Sequence, residues 1–565
     1  MLQDGRAVLP LMTLFFIIVI IILGIISARR SKRELFEKIK KDYGRKRTAK
    51  QAQVSLLSHH KASLENGYHI DNITAGDMEI NRIFAAVNHT SSAIGQEYLY
   101  YQLMRGRLSQ SELDDFEQLM MFFKDNENVR EQFRYQYESL GKKGNIDIDR
   151  FLEGETNKNN GIMKHFLCYI IFALAIAMLA LKMAIPGAVC MVLFIIISVS
   201  MYFKEKTAIH MFLDSAFYII KLVDIGRKLS CIDVKASEKL GEILGVVSEK
   251  SEALSKALIG SRYVFLSAPA NTGFLSSIVL YINLFFHIDI LLYYSLEKRV
   301  RAKESEILEL YDLIGLIEAA LAVDSYRASQ TKWCRPWFDV KIEDSCIKQL
   351  YHPLIDEPVR NDVSLEKSML ITGANASGKS TYLRALGNAV IMAQTINTVC
   401  AESYKLPFHR VFSSMTLKDS LTKGDSFFMT EIKSIKRILD ESSMEGDKVL
   451  CLVDEVLKGT NTIERIAAAS QVIRYLIEHQ VVCVFATHDM ELSLLLQDIL
   501  NNYHFEEAKQ ADSEDILFTY KLMDGPTDSR NAIRLLANLG IDGGLVEKAK
   551  SMAARFEQTG NWSMD

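Results

Sequence analysis

From Leu9 to Ala28 the chain carries no charge, and this run of about twenty residues is long enough as a helix to cross a hydrocarbon layer of roughly 30 Å. Arg29, Arg30, Lys32 and Arg33 follow it directly. The run is longer than a signal peptide's apolar region and no small-residue cleavage site follows, so a retained anchor is expected rather than a cleaved leader. The basic flank, continued by Lys38, Lys40, Lys41, Arg45, Lys46 and Arg47, places the following chain in the cytoplasm, where it can also meet anionic head groups. A second apolar block, Phe166 to Phe203, is broken by Lys182, Pro186 and Gly187 and predicts a helical hairpin. Lys164 before it and Lys204 and Lys206 after it put both feet on the cytoplasmic side. A third stretch, Leu275 to Leu296, carries Asn283, His287 and Asp289, polar groups that are costly in lipid. It is expected to be one buried core helix, because a further crossing would carry the rest of the chain outside. Three crossings predict a multi-pass protein of the cell (cytoplasmic) membrane.

Between and after these blocks the period changes. Residues 34–150 and 207–330 place apolar residues at helical spacing, including a stripe of Leu308, Leu310, Leu313, Ile314, Ile317 and Leu321 that reads as core. From Ile347 short β-rich runs alternate with helices, the pattern of a parallel α/β sheet. The expected fold class is an α/β domain, a parallel sheet flanked by helices, preceded by an all-α lever or core domain and transmembrane helices. The expected division is an anchor over 1–33, a first helical part over 34–164, the hairpin over 165–204, a second helical part over 205–344, the α/β domain over 345–510 and a C-terminal strand and helical tail over 511–565.

Composition adds exclusions. A formal net charge of −4 with 24% charged residues gives no global signature of a nucleic-acid binder. The eight cysteines form no CxxC pair, which argues against both a zinc ribbon and a disulfide framework and reads as buried thiols in a reducing compartment.

The chemistry concentrates in Gly373-Ala374-Asn375-Ala376-Ser377-Gly378-Lys379-Ser380-Thr381, a GxxxxGKS loop between an apolar strand and a helical run. Glycines let the backbone wrap a phosphate, and a helix N-terminus adds aligned N–H donors. Lys379 is expected to reach the β- and γ-phosphates of ATP and Ser380 to ligate Mg²⁺. A second apolar strand, Lys448 to Val453, ends in Asp454 and Glu455, expected as metal ligand and as polariser of the attacking water. A third, Val481 to Ala486, ends in Thr487-His488-Asp489. His488 is a candidate sensor or water positioner, with a satisfied loop histidine as the plain alternative.

With these motifs in view the chain resembles the MutS family of P-loop ATPases. His352-Pro353, Asn361-Asp362, the glycine loop with Tyr382-Leu383-Arg384, then Met392-Ala393-Gln394 and Ala401-Glu402-Ser403, are similar to one continuous family block. Leu421 to Glu431 is similar to the family's signature loop, Asp454 to Thr462 to its DEIGRGTST segment, and Phe485 to Leu492 to FATHYHEL. Tyr520 to Gly525 and Asn531 to Lys550 are similar to the C-terminal dimerisation tail. The likeness covers about 220 residues firmly and about 200 upstream residues weakly. It implies Mg²⁺-dependent ATP hydrolysis at a homodimer interface, with Ser426 reaching the nucleotide of the partner subunit. It also implies DNA, mismatched or branched, as ligand.

The departures are as informative. Only about 50 residues separate the anchor from the helical core, no Phe-x-Glu wedge or clamp domain is evident, and no nuclease segment follows. Val359 stands near the expected adenine-stacking aromatic. Two readings therefore stay open: a membrane-anchored ATPase acting on DNA, or the same engine driving an unknown membrane or protein partner. An ABC transporter is disfavoured by the lack of an LSGGQ-like loop before Asp454 and by too few crossings.

Overall fold

The computed structural model describes residues 5–47, 54–142, 148–153, 160–259, 274–374, 377–415, 427–442, 448–458, 460–509, 516–526, 533, 541–560 and 562. The chain opens with α1 (Gly5–Asp42), which contains the first apolar run and exposes Phe15, Ile22, Leu23, Ile25 and Ile26. It continues through α2 (Ser58–Glu65), α3 (Asn72–Asp77), α4 (Ile80–Val87), α5 (Ala93–Met104), α6 (Gln110–Asp125), α7 (Glu127–Leu140) and α8 (Ile148–Glu153). Local chemistry sets several starts. Ser109 and Glu112 form a reciprocal capping box on α6, and Asp71 and Ser92 cap α3 and α5.

The hairpin consists of α9 (Asn160–Ala180) and α10 (Ala184–Ser230). The turn falls at Leu181–Met183, with Lys182 at φ +62°, so Pro186 sits in the first turn of α10, where its missing N–H is harmless. Gly187 lets the limbs close: a Cβ there would meet Leu179 Cγ at 2.7 Å. Met163–Ala180 and Ala184–Thr207 have mean hydropathies of 2.0 and 2.4 and are long and apolar enough to cross a membrane. Their outward Leu167, Ile170, Leu174, Leu193 and Ile196 are exposed. No boundary separates hairpin from core, because α10 runs on unbroken for 47 residues and packs on α11 (Glu238–Ala257).

The expectation of one buried helix over Leu275–Leu296 is corrected. The segment is two helices, α12 (Phe274–Phe286) and α13 (Ile288–Arg301), bent by 77° at His287, which takes φ +47°. Tertiary contacts hold this break: Ser198 Oγ donates to the Phe285 carbonyl at 2.8 Å, and His287 Nε2 lies 2.9 Å from the Ser198 carbonyl. The polar residues Asn283, His287 and Asp289 are buried as expected, whereas Leu280 and Tyr281 of α12 face outward.

The leucine stripe lies on α14 (Glu304–Ser329), whose Ile307, Leu310, Ile314 and Ile317 are fully buried. α5 crosses it at close range. A Cβ on Gly95 would collide with the Glu318 carboxylate, and one on Gly315 would meet Tyr98 Cβ at 2.7 Å. Glu318 is buried yet satisfied, accepting the Ser92 N–H at 2.9 Å and the Ser92 hydroxyl at the start of α5.

Beyond α14 the chain turns to sheet. β1 (Cys346–Leu350), β2 (Asn361–Ser364) and β4 (Ser403–Lys405) form an antiparallel sheet ordered β2-β1-β4. β3 (Met369–Thr372), β5 (His409–Ser414), β6 (Lys448–Asp454), β7 (Val482–Thr487), β8 (Asn501–Lys509) and β9 (Ile516–Asp524) form a sheet ordered β5-β6-β7-β3-β8-β9. It is parallel except for the antiparallel edge pair β8–β9. Flanking it are α15 (Lys379–Ile396), α16 (Phe427–Ser442), α17 (Thr462–Glu478) and α18 (Met490–Leu495), with α19 (Gly543–Thr559) near the C-terminus. The parallel α/β fold with mostly helical surroundings is thus as expected.

One buried ion pair ties the two regions together. Arg327, at the end of α14, reaches Glu117 of α6 with two bonds of 2.8 and 2.7 Å, and also donates to Asn397 O at 2.7 Å and Thr398 Oγ1 at 2.9 Å. Such a fork fixes geometry as well as charge.

Candidate functional site

In an open parallel sheet, ligands bind beyond the carboxyl ends of the strands. The order β6-β7-β3 puts three loops there: the glycine loop after β3, Thr487-His488-Asp489 after β7, and Asp454-Glu455 after β6. Gly378 caps α15 at φ +108° and Gly373 takes φ +147°, conformations that a side chain would strain. Lys379 and Ser380 open α15, so its N–H groups face the same space.

The structure brings together Gly373, Ala374, Ser377, Gly378, Lys379, Ser380, Thr381, Asp454, Glu455 and His488. Asn375, Ala376 and Ser426 lie outside the described residues. Lys379 Nζ donates to the Gly373 carbonyl at 2.7 Å and the Ala374 carbonyl at 3.0 Å, and stands 3.4 Å from His488 Nε2. The ammonium is thus folded back on its own loop. Ser380 Oγ donates to Asp454 Oδ2, and His488 Nε2 lies 2.8 Å from Glu455 Oε1. Ser377 Oγ is buried with no hydrogen-bond partner among the described residues. A buried hydroxyl without a partner among the described residues, a cradle of glycines and an ammonium folded back on its own loop carbonyls suit an incoming phosphate. The Ser380–Asp454 pair presents one hydroxyl and one carboxylate, the oxygen donors that Mg²⁺ takes.

The electrostatics follow from burial. Desolvation pushes the Lys379 ammonium down to about 8, against the pull of Asp454 and Glu455. At Glu455 burial works the other way, but the His488 hydrogen bond and the nearby Lys458 overcome it and hold the carboxyl at about 2. Lys458 Nζ stands 3.3 Å from Glu455 Oε2. Glu455 itself takes φ +63°, and its N–H donates to the Ala486 carbonyl at 2.8 Å, which aims the side chain across β7 toward His488. Glu431 of α16 accepts the Lys458 N–H at 2.9 Å and so ties that helix to the same loop.

Lys379, Ser380, Asp454, Glu455, Lys458 and His488 line a cavity of about 610 Å³, the size of a small-molecule site. Of its far wall only Val359 was placed from sequence: Tyr351, His352, Ile355, Pro358 and Val359 precede β2, and Tyr520 comes from β9. A Cβ on Gly378 would meet the Tyr520 ring at 3.2 Å, so the strand closes over the loop. Asn361 holds that wall, donating to the Tyr520 carbonyl at 3.0 Å and accepting the Leu522 N–H at 2.9 Å. The Asn361-Asp362 pair was visible in the sequence, but its role depends on a partner 159 residues away.

Strand order, glycine loop and acidic strand tip together define a P-loop nucleotide-binding domain. Residues 369–557 match the family model described as MutS domain V. The chain is 31% identical over 282 residues to the DNA mismatch repair protein MutS of Lactobacillus delbrueckii subsp. bulgaricus, covering 48% of this chain and 32% of that protein. It is 33% identical over 239 residues to human MutS protein homolog 4, covering 40% of this chain and 25% of that protein. With the Rickettsia bellii DNA mismatch repair protein MutS the figures are 30% over 247 residues, 41% and 27%. Over residues 369–557 the chain thus carries a MutS-family ATPase domain. The matched region spans about a third or less of the length of these relatives.

Proposed function

We propose that the chain binds ATP with Mg²⁺ in the cavity beside Lys379 and hydrolyses it, using closure of the site to move the helical region. The reading is carried by one observation: Lys379, His488 and Glu455 form a continuous contact chain beside the Ser380–Asp454 pair. Lys379 and the loop amides, with those of Asn375 and Ala376, bind and orient the phosphates, while Ser380 and Asp454 hold Mg²⁺, which when bound neutralises phosphate charge. Glu455 accepts the hydrogen bond of the attacking water and orients it. A carboxylate held at about 2 is a weak base, so Glu455 positions the water until His488 or Lys458 releases it. Ser426, placed before α16, completes the neighbouring site in a homodimer.

The apolar hairpin and α1 anchor this engine in the cell membrane as a multi-pass protein with its ATPase domain in the cytoplasm, and the domain division expected above is kept except at 204/205, which α10 crosses. By family likeness the ligand is mismatched or branched DNA. The second reading, a membrane or protein partner moved without DNA, is favoured by the unbroken helix that joins hairpin to core. Titration of the detergent-solubilised protein with duplex, mismatched and branched DNA at rising salt separates them, because phosphate contacts make affinity fall steeply with salt. For the engine itself, Glu455→Gln is expected to keep ATP binding and lose turnover by about 10²-fold or more. Unchanged turnover removes Glu455 from its role.

A further inference from the structure

Outside the nucleotide cavity, the first turn of α2 presents two adjacent imidazoles to the side of α14. His60 Nε2 lies 2.9 Å from Asp312 Oδ1, and His59 Nε2 lies 3.1 Å from Oδ1 and 3.3 Å from Oδ2 of the same carboxylate. One ligand atom from each of the three residues falls within 4.8 Å of the others. With bonds to zinc of 2.0–2.2 Å, neighbouring ligand atoms of a tetrahedral shell stand about 3.3 Å apart. The three side chains therefore need only small adjustments to share one ion.

The opposite edge of His60 decides which nitrogen is free. Its Nδ1 lies 3.0 Å from Glu97 Oε1, and Glu97 already accepts the Leu57 N–H at 2.6 Å and the Tyr311 hydroxyl. An ionised carboxylate only accepts, so Nδ1 gives its hydrogen to Glu97 and Nε2 is the nitrogen left to face Asp312. A ring nitrogen and a carboxylate oxygen 2.9 Å apart hold a cation between them, a proton or a metal ion. His59 Nε2 converges on the same oxygens. The carboxylate–imidazole arrangement, with Glu97 behind His60, is the one that orients metal-ligating histidines. The ring is further clamped by stacking on Tyr101, with centroids 4.0 Å apart and planes 16° from parallel. Burial is graded as an ion site needs: the His60 side chain is 1% exposed, whereas His59 and Asp312 are 24% and 36% exposed and leave an open side for water.

We propose that His59 Nε2, His60 Nε2 and the Asp312 carboxylate bind one divalent transition-metal ion, Zn²⁺ before others, with water completing the shell and Glu97 orienting His60. Two imidazoles against one carboxylate disfavour Mg²⁺ and Ca²⁺, which take oxygen ligands. The ion clamps α2 to α14, the helix whose far end holds the buried Arg327–Glu117 pair beside the ATPase domain. It thereby fixes the segment that follows α1 against the helix that would transmit nucleotide-driven movement.

The test uses the full-length protein in detergent, stripped with chelator and then dialysed against Zn²⁺ in excess Mg²⁺. Wild type is expected to retain one Zn²⁺ per chain more than Asp312→Asn and His59→Ala, with a higher Tm on zinc addition that both variants lack. Glu97→Gln is expected to keep the stoichiometry and weaken affinity by about 10–100-fold. Co²⁺ in place of zinc is expected to give a visible ligand-field spectrum without the near-ultraviolet thiolate band, which separates this site from the eight cysteines. Circular dichroism establishes that each variant is folded. Equal zinc uptake by wild type and both variants, a thiolate band, or no uptake by wild type overturns the proposal; the last result leaves a proton as the only cation between His60 and Asp312.

Discussion

Raising the pH tests the electrostatics of the glycine loop without altering a residue. Burial holds the Lys379 ammonium at about 8, and its ligands are two carbonyls of its own loop. The cation is the form that grips a triphosphate, and the phosphates raise its proton affinity once bound. The sign follows from this: affinity is constant well below pH 8 and falls as the free ammonium deprotonates above it. With the free group at about 8, roughly nine-tenths of it is charged at pH 7 and roughly one-tenth at pH 9, so the dissociation constant rises about tenfold, or ~1.4 kcal/mol. A phosphate's own titration near pH 6 is complete before this window opens. Fluorescent-nucleotide titrations from pH 6.5 to 9.5 measure the effect. Calorimetry in two buffers of different ionisation enthalpy counts the protons taken up near pH 8. Lys379→Arg, charged throughout this range, is expected to bind with a flat profile. A wild-type affinity that is level from pH 7 to 9.5, or that rises, refutes the assignment of Lys379 as a desolvated phosphate ligand.

Removing the imidazole in His488→Ala takes away the hydrogen bond that keeps Glu455 at about 2, so the acid limb of the turnover profile is expected to move up toward the ordinary carboxylate range near 4; an unmoved limb places His488 outside the water-orienting pair. Arg327→Met leaves Glu117 buried and unpaired and is expected to destabilise by about 3–5 kcal/mol, with much of this recovered in Arg327→Met/Glu117→Leu. A loss below about 1 kcal/mol in thermal melts contradicts that account. Mixing Ser426→Ala with Lys379→Ala subunits is expected to give at most one working site per dimer, and full turnover by the mixture rules out action across the interface.

The parts of the site that lie within one loop were legible in the sequence, because glycine-loop geometry and strand-end acids are local chemistry. Gly373 to Thr381, Asp454 and Glu455 needed no knowledge of the fold. Tyr520 and Asn361 meet only through the β2–β9 contact, and no local pattern encodes a bond across 159 residues. The break at His287 was missed for a similar reason. A histidine at φ +47° carries no signal of its own, and Ser198, 89 residues earlier, is what holds it. The hairpin was read from hydropathy, but its second limb was expected to stop near residue 204. Hydropathy sees the change of surroundings at Lys204 and Lys206, whereas the backbone hydrogen bonds of α10 continue across it.

That continuity has a mechanical consequence. At 1.5 Å per residue the 47 residues of α10 form a rod roughly 70 Å long, gripped at one end by its hairpin partner and at the other by the helices of the core. A stiff rod pivoted near its middle turns a tilt of about 5° into an opposite swing of roughly 3 Å at each tip. Any rearrangement at the core end therefore displaces the apolar end by a comparable distance, and a push on the apolar end moves the core end with the same gain.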